Sequence, residues 1–304
     1  MTFFKEKSPE RKSAIKFIIF LGFVSLFADV TYEGARSIVG PYIGMLGADA
    51  TVVGVVIGLG ELIGYGFRII AGYIVDKTGR YWLITIIGYA INLFAVPALA
   101  VAGNWQMAAA LIIAERFGKS VRAPARDAML SGATSVTGHG AGFGLHEAMD
   151  QIGAVLGPAL MAFVLFYNHN YRLAFASLLI PALVSLVILL AACFTYRQPM
   201  QFEKPDLATP EVSLSRNYKL FIFASAFIAL GFADFPLIAF HFKQIHLFSD
   251  GWIPLTYALA MGVDAVTSLV LGPLFDRYGF KIPSYSILIT TCSTPLLFIG
   301  GQGL

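Results

Sequence analysis

Charge is what this chain of 304 residues has least of. Only 13% of its residues are Asp, Glu, Lys or Arg, against about 25% in soluble domains. With 57% apolar residues, the deficit excludes an ordinary soluble enzyme, a disordered chain and a nucleic-acid binder. The net charge of +3 is too small to mark a polyanionic partner. Cysteine is equally scarce. Cys193 and Cys292 lie about a hundred residues apart in apolar runs, so they form neither a ligand set nor a disulfide framework and read as packing thiols. Catalytic motifs are missing too: there is no G-x-x-x-x-G-K-[ST], no H-E-x-x-H and no cysteine pair. The glycines between Gly138 and Gly144 open a helical run and follow no strand, so a dinucleotide reading fails. No enzyme activity, cofactor or metal is expected.

What is present is a series of long apolar runs. A helix needs about 20 apolar residues to cross the hydrocarbon core. Nine segments fit: 15–40, 50–75, 82–102, 105–126, 141–167, 171–195, 218–242, 252–275 and 281–301. The runs are too long, and lack the alternation, for barrel strands. An all-α membrane bundle is therefore expected, with short connections such as Gly103-Asn104 joining antiparallel neighbours. The run after Lys16 is too long for a cleaved signal, carries Asp29 and shows no small-residue cleavage site. Lys and Arg set the orientation. With the N-terminus in the cytoplasm, sixteen basic residues fall in inner segments, Lys119, Arg122 and Arg126 among them, and only Arg172 and Lys243 in outer loops. The expected location is the inner cell membrane.

The chain also repeats itself. Span two ends in Gly72-x-x-x-Asp76-x-x-Gly79-Arg80, and span eight in Gly272-x-x-x-Asp276-x-x-Gly279-x-Lys281, 200 residues away. Phe27-Ala28-Asp29 matches Phe232-Ala233-Asp234 at an offset of 205. The polar segment 197–217, with Pro199, Pro205 and Pro210, falls after six spans. The expected organisation is a six-helix half (1–196), a cytoplasmic linker (197–217) and a second, three-helix half (218–304), as in transporters built from repeats. In the repeated motif the first Gly would let helices approach and the second would allow a tight turn. The acid and the base could pair across helix ends on the cytoplasmic side and act as a gate.

On these residues the chain resembles the major facilitator superfamily. The Gly72–Arg80 loop matches that family's signature between helices two and three, and Arg116-Phe-Gly118-Lys119 is similar to its fourth-helix motif. Gly144, Gly153, Gly157 and Pro158 resemble the fifth-helix signature of its proton-driven exporters, although Met161 and Ala162 stand where that pattern continues with paired glycines. The resemblance implies a twelve-helix fold, of which this chain would be the first three quarters, and transport of a small solute by alternating access.

Eleven ionisable residues fall inside the spans: Asp29, Glu33, Arg36, Glu61, Arg68, Glu115, Arg116, Glu147, Asp150, Asp234 and Asp264. Each costs about 2.5–3.5 kcal/mol at a helix centre, roughly 30 kcal/mol for the set if it faced lipid, against a net stability of about 5–15 kcal/mol. They must face a water-filled path or one another, which points to a substrate and proton pathway. Asp29, Glu33, Arg36 and Gly40 share one helical face, as do Glu61, Tyr65 and Arg68. Arg36 is expected to pair with Glu33 or Asp29, leaving a carboxylate free to titrate, and Arg116 to hold a nearby carboxylate ionised until substrate arrives. His146 and Asp150 share a face of span five, whose glycines are assigned to helix contact between the halves. Asp264 has no base within a helical turn and is the expected titrating group of the second half. Eight acids against three bases favour proton coupling and a cationic or neutral substrate. The function expected is proton-coupled efflux. The alternatives are a symporter or uniporter of the same fold, or a transport-inactive membrane protein acting in assembly. The lipid bilayer, a small molecule and protons are the partners implied; oligomerisation is not.

Overall fold

Helix ends are written into the polar residues between the apolar runs. A computed structural model describes residues 9–198, 216, 219–220, 222–224, 234–278, 281, 284–289 and 291, without the side chains of 139–141, 268–270, 272–273 and 275–276. Asp49 accepts a hydrogen bond from the Val52 amide and starts α2 (Ala50–Thr78), after α1 (Pro9–Met45). Gly79, at φ 64°, closes α2 in the left-handed conformation that glycine adopts without penalty. Next come α3 (Tyr81–Ala98) and α4 (Trp105–Thr137), the latter capped by Asn104 through the Met107 amide. Gly138, at φ 99°, separates α4 from α5 (His139–Asn168). Asn170 caps α6 (Tyr171–Ser177), and α7 follows (Leu179–Thr195). The expected span at 171–195 is thus broken at Leu178, because Pro181 has no N–H for the Ser177 carbonyl.

Two further differences matter for function. Helix α4 continues through Pro124 and Gly132 to Thr137 instead of ending near residue 126, and it closes at Gly138, which has φ 99°. Lys119, Arg122 and Arg126, read above as charges of an inner segment, therefore sit on a continuous helix. Span seven, expected as one helix over 218–242, is interrupted: Asp234 is extended (φ −76°, ψ 146°) and caps α8 (Phe235–Gln244), with Pro236 in the first turn. A proline in the first helical turn forfeits no intrahelical bond, so Asp234-Phe-Pro236 is a helix start inside a hydrophobic run. Helix α9 (Trp252–Tyr278) completes the described elements. Residues 281, 284–289 and 291 of the expected ninth span are helical, whereas most of 197–217 lies outside the described residues.

Helix α1 is the axis of the bundle, packed on α5, α7, α8 and α4, while α2 and α3 pack on α4 and α9 packs on α5. Two cores form along it. At the end marked by Gly47, Tyr42 donates to the Leu99 carbonyl (2.8 Å) beside Phe175 and Tyr171. At the end marked by Gly79, Phe17 meets Trp82 and Tyr196 edge-on, and the Trp82 indole donates to the Tyr196 carbonyl (2.8 Å). Among the described residues five helices are long and apolar enough to cross a membrane: α1, α2, α3 with its final turn, α5, and α6 with α7. Helix α4 falls outside that set because of its charges, which the bundle interior accommodates. The outer face of α2 is apolar, with Leu62, Ile69 and Tyr73 mostly exposed, as expected of a helix facing hydrocarbon.

Candidate functional site: a charged seam across six helices

Arg36, near the Gly47 end of α1, is the hub. Its Nη2 lies 2.6 Å from Asp234 Oδ1 and 3.3 Å from Glu61 Oε1, and its Nη1 lies 3.9 Å from Glu33, one turn back. Glu61 also meets Arg116 Nη2 at 3.2 Å, and Arg116 Nε meets its neighbour Glu115 at 3.3 Å. Asn92 on α3 donates to Glu115 (2.8 Å), and Tyr257 on α9 donates to Glu33 (2.6 Å). The seam links α1, α2, α3, α4, the start of α8 and α9. Four carboxylates share two guanidiniums, and every member is half-buried or buried. A small cavity, about one water molecule in size, lies beside it between Tyr32, Arg36, Ile57, Val96 and Arg116.

The pairing differs from the sequence expectation. The partners of Arg36 are Asp234 and Glu61 as well as Glu33, and Asp29 is elsewhere. Because α8 starts at Asp234, its carboxylate sits at the end of a broken helix, where it bonds both the Phe235 amide (2.8 Å) and Arg36. Sequence reasoning missed Tyr257, Asn92 and the pair Gly60 and Gly64. A Cβ on Gly60 would lie 3.2 Å from Arg116 Cγ, and one on Gly64 would lie 3.7 Å from Arg116 Cβ. That small-x-x-x-small spacing on α2 was the available signal.

A second group lies toward the Gly79 end. Asp29 is buried on α1, where α5 crosses at Gly153, and its charged neighbours include Asp150 and Lys119. His146 Nδ1 and Asp150 Oδ2 are 3.5 Å apart. Arg126 donates to Ser25 (3.1 Å), Lys119 lies over the Tyr32 ring (3.8 Å), and Arg122, 2% exposed, lies over Tyr89 (4.2 Å). These three bases narrow the interior charge imbalance read from the sequence.

Other candidates stay apart from the seam. Arg68 donates to the Gly64 carbonyl (3.2 Å) and covers Tyr65 on its own helix. Asp264 is exposed on α9, and no ion pair or hydrogen bond reaches it among the described residues. Asp76 and Arg80 are exposed at the α2–α3 turn, and no ion pair involves them there either. Gly79 fills the turn role, whereas a Cβ on Gly72 would make only ordinary contact with Pro124 (3.7 Å). Gly272 and Asp276 fall on α9 with undescribed side chains, Gly279 lies outside the described residues, and Lys281 is exposed. Gly153 and Gly157 serve close contact as expected, but with α1 instead of across the halves. A Cβ on Gly157 would lie 2.5 Å from the Val30 carbonyl oxygen and 2.7 Å from the Gly34 nitrogen. Gly144 is exposed, and Pro158 is accommodated inside α5.

The two ends of the bundle differ. At the Gly47 end α1 and α8 touch backbone to backbone where Gly40 meets Pro236, and Phe166 of α5 packs edge-on against Trp252 of α9 (5.8 Å). Asp250 accepts from Tyr171 (3.1 Å) and pairs with Lys243. Away from that end a groove is lined by Glu147, Gln151, Ile152 and Leu156 of α5 and Ala265 of α9.

Helices of membrane-spanning length around a charged, polar interior define an integral membrane protein of the helical-bundle class. Residues 18–303 match the Major Facilitator Superfamily, and the chain belongs to that family of membrane transporters. It is 41% identical over 288 residues to an uncharacterized protein of Mycobacterium tuberculosis, covering 91% of this chain and 70% of that one. An uncharacterized MFS-type transporter of Methanocaldococcus jannaschii is 26% identical over 273 residues, covering 88% and 68%. The fold is similar to that of a bacterial homolog of the human lysosomal transporter Spinster, solved inward-facing and unoccupied, with a TM-score of 0.60 at 16% identity over 90% of this chain. The chain spans 64% of that structure and 55% of another solved transporter it matches.

Proposed function

We propose that the protein is a secondary active transporter that exports a small organic cation in exchange for protons by alternating access. Its N-terminus and the Gly79 end would lie in the cytoplasm, and two halves joined through 197–217 would move against each other. The observation that carries this reading is the Arg36–Asp234 pair. It joins α1 of the first half to the broken helix of the second at a half-buried position, where it can form in one state and part in another. Four carboxylates around two guanidiniums leave negative charge for a cation or a proton to compensate. Closure at the Gly47 end supports a state open to the cytoplasm. There no ion pair engages Asp76 among the described residues, in keeping with a gate that pairs only when the cytoplasmic end shuts.

Asp29 and Asp264 are assigned to proton coupling: one is buried beside Asp150 in the first half, the other exposed in the second with no ion pair among the described residues. Proteoliposomes holding the full chain, ethidium and an imposed pH gradient test this. Uphill ethidium movement should follow the gradient. Asp29→Asn and Asp264→Asn should abolish it while leaving ethidium-for-ethidium exchange intact. Wild-type uphill movement in both variants would overturn the coupling assignment. Flux indifferent to the gradient would establish a uniporter instead.

A further inference from the structure

Three of the four seam carboxylates, Asp234, Glu61 and Glu115, approach a guanidinium nitrogen to 3.3 Å or less. Glu33 does not. It stands 3.9 Å from Arg36, although the two are one turn apart on α1 and such neighbours reach each other readily. Tyr257 of α9 holds it off. Its hydroxyl donates to Glu33 Oε2 at 2.6 Å, the length expected, about 2.5–2.7 Å, when the acceptor is an ionised carboxylate. Both residues are buried. The Tyr257 ring is fixed in turn, stacked on Phe235 with centroids 4.3 Å apart, and Phe235 directly follows Asp234. The donor to Glu33 therefore leans on the same turn that carries the acceptor for Arg36.

The Arg36–Asp234 pair is open to competition. Both of its bonds, from Arg36 Nε (3.2 Å) and Nη2 (2.6 Å), fall on Oδ1. Asp234 Oδ2 has no hydrogen-bond partner among the described residues. The pair thus lacks the parallel two-oxygen geometry that fixes an arginine on a carboxylate. Arg36 Nη1 meanwhile faces Glu33. A Glu33 free to close that gap would draw the guanidinium from Asp234.

We propose that Tyr257 is a positioning residue that sorts the carboxylates around Arg36. While the Gly47 end is closed, its hydroxyl keeps Glu33 in reserve and leaves Arg36 to Asp234. When the halves part, Asp234 and Tyr257 leave together, and Glu33 takes Arg36 from within α1. The exchange matters because a buried charge stripped of its partner is strongly destabilising. Here the guanidinium changes partners without being stranded. The inference rests on the reading of Arg36–Asp234 as a pair that parts between states, and deepens it by naming the group that replaces Asp234.

The test uses the full chain carrying Cys193→Ala, Cys292→Ala and Val39→Cys, in intact cells with an impermeant maleimide outside. Tyr257→Phe keeps the ring and removes only the hydroxyl. It should speed labelling about fivefold, the effect of a modest bias on a two-state ratio. Adding Glu33→Gln should return the rate to that of the parent or below, because a neutral amide does not compete for the guanidinium. Asp234→Asn should speed labelling by itself, and Tyr257→Phe should add little to it, since no pair is left to contest. Monodisperse elution establishes that each variant is folded. Parent-rate labelling in Tyr257→Phe, with Asp234→Asn fast, sinks this inference alone. Fast labelling that persists in Tyr257→Phe with Glu33→Gln shows that the hydroxyl does not act through Glu33, and overturns it. A further fivefold gain from Tyr257→Phe on top of Asp234→Asn overturns it as well. Parent-rate labelling in Asp234→Asn sinks the reading of the Arg36–Asp234 pair and this inference with it.

Discussion

At the residue scale the glycines separate into two physical kinds. Gly72 and Gly157 read alike in the sequence, each as a small residue in a family-like motif. Only Gly157 is pressed against a neighbouring backbone: an added methyl would lie 2.5 Å from the Val30 carbonyl oxygen, whereas at Gly72 it meets Pro124 at an ordinary 3.7 Å. Backbone cannot swing aside as a flexible side chain can, so the crowding at Gly157 must separate α1 from α5. Gly157→Ala should therefore destabilise the protein by about 1–3 kcal/mol, and Gly72→Ala should be near neutral. Thermal unfolding in detergent reads the difference, and equal melting temperatures for the two variants would contradict it. The sequence carried the need for small residues on α5 but not the identity of the facing helix, because spacing reports only which residues share a face. Arg116 shows the same limit. Its motif was legible, but the cleft that Gly60 and Gly64 open for it depends on the register of α2 against α4.

At the scale of elements, five of the helical runs anticipated from hydropathy and polar caps are long and apolar enough to cross a membrane among the described residues. Hydropathy failed where apolar length hid a backbone break. Residues 218–242 read as one helix because hydropathy averages over Asp234, yet Asp234-Phe-Pro236 is a capping residue followed by a first-turn proline. Asp234 therefore does two jobs: it caps α8 and it pairs with Arg36. The two separate by substitution, since asparagine caps about as well as aspartate while alanine does not. Asp234→Asn should keep the cap and lose the ion pair, giving a modest fall in melting temperature but a large loss of gradient-driven flux. Asp234→Ala should lose flux and a further 0.5–2 kcal/mol or so of stability. Indistinguishable unfolding of the two variants would show that the cap contributes nothing. The length of α4 was misread for a related reason. Its charges resemble those of a cytoplasmic loop until the structure places Arg122 over Tyr89 and Lys119 over Tyr32, inside the bundle.

At the scale of the whole molecule, the conformation follows from which end is tied. The Gly47 end is held by backbone contact of α1 with α8, by Phe166 against Trp252, and by Asp250 linking Lys243 and Tyr171. The α1–α8, Phe166–Trp252 and Tyr171–Asp250 contacts were not legible in the sequence, since each joins elements distant in the chain. Asp250 is the member that can be altered without touching helix packing, being partly exposed in the turn between α8 and α9. Asp250→Asn keeps the shape and removes the charge that Lys243 neutralises. A partly exposed pair is worth about 1 kcal/mol, which is about a fivefold change in a two-state ratio. The variant should shift the population toward opening at the Gly47 end. With Cys193 and Cys292 replaced by alanine, a reporter cysteine at Val39, beside the seam cavity, should react several-fold faster with an impermeant maleimide added outside. A reporter at Gln151, in the α5–α9 groove, should react more slowly with the same reagent from the cytoplasmic side, because alternating access opens one end at the expense of the other. Tyr171→Phe removes the second bond to Asp250 and should act in the same direction but less strongly, since it leaves the charge pair in place. Unchanged rates at both reporters in both variants would mean that Asp250 does not hold the closed end, and that the helix contacts alone set the conformation.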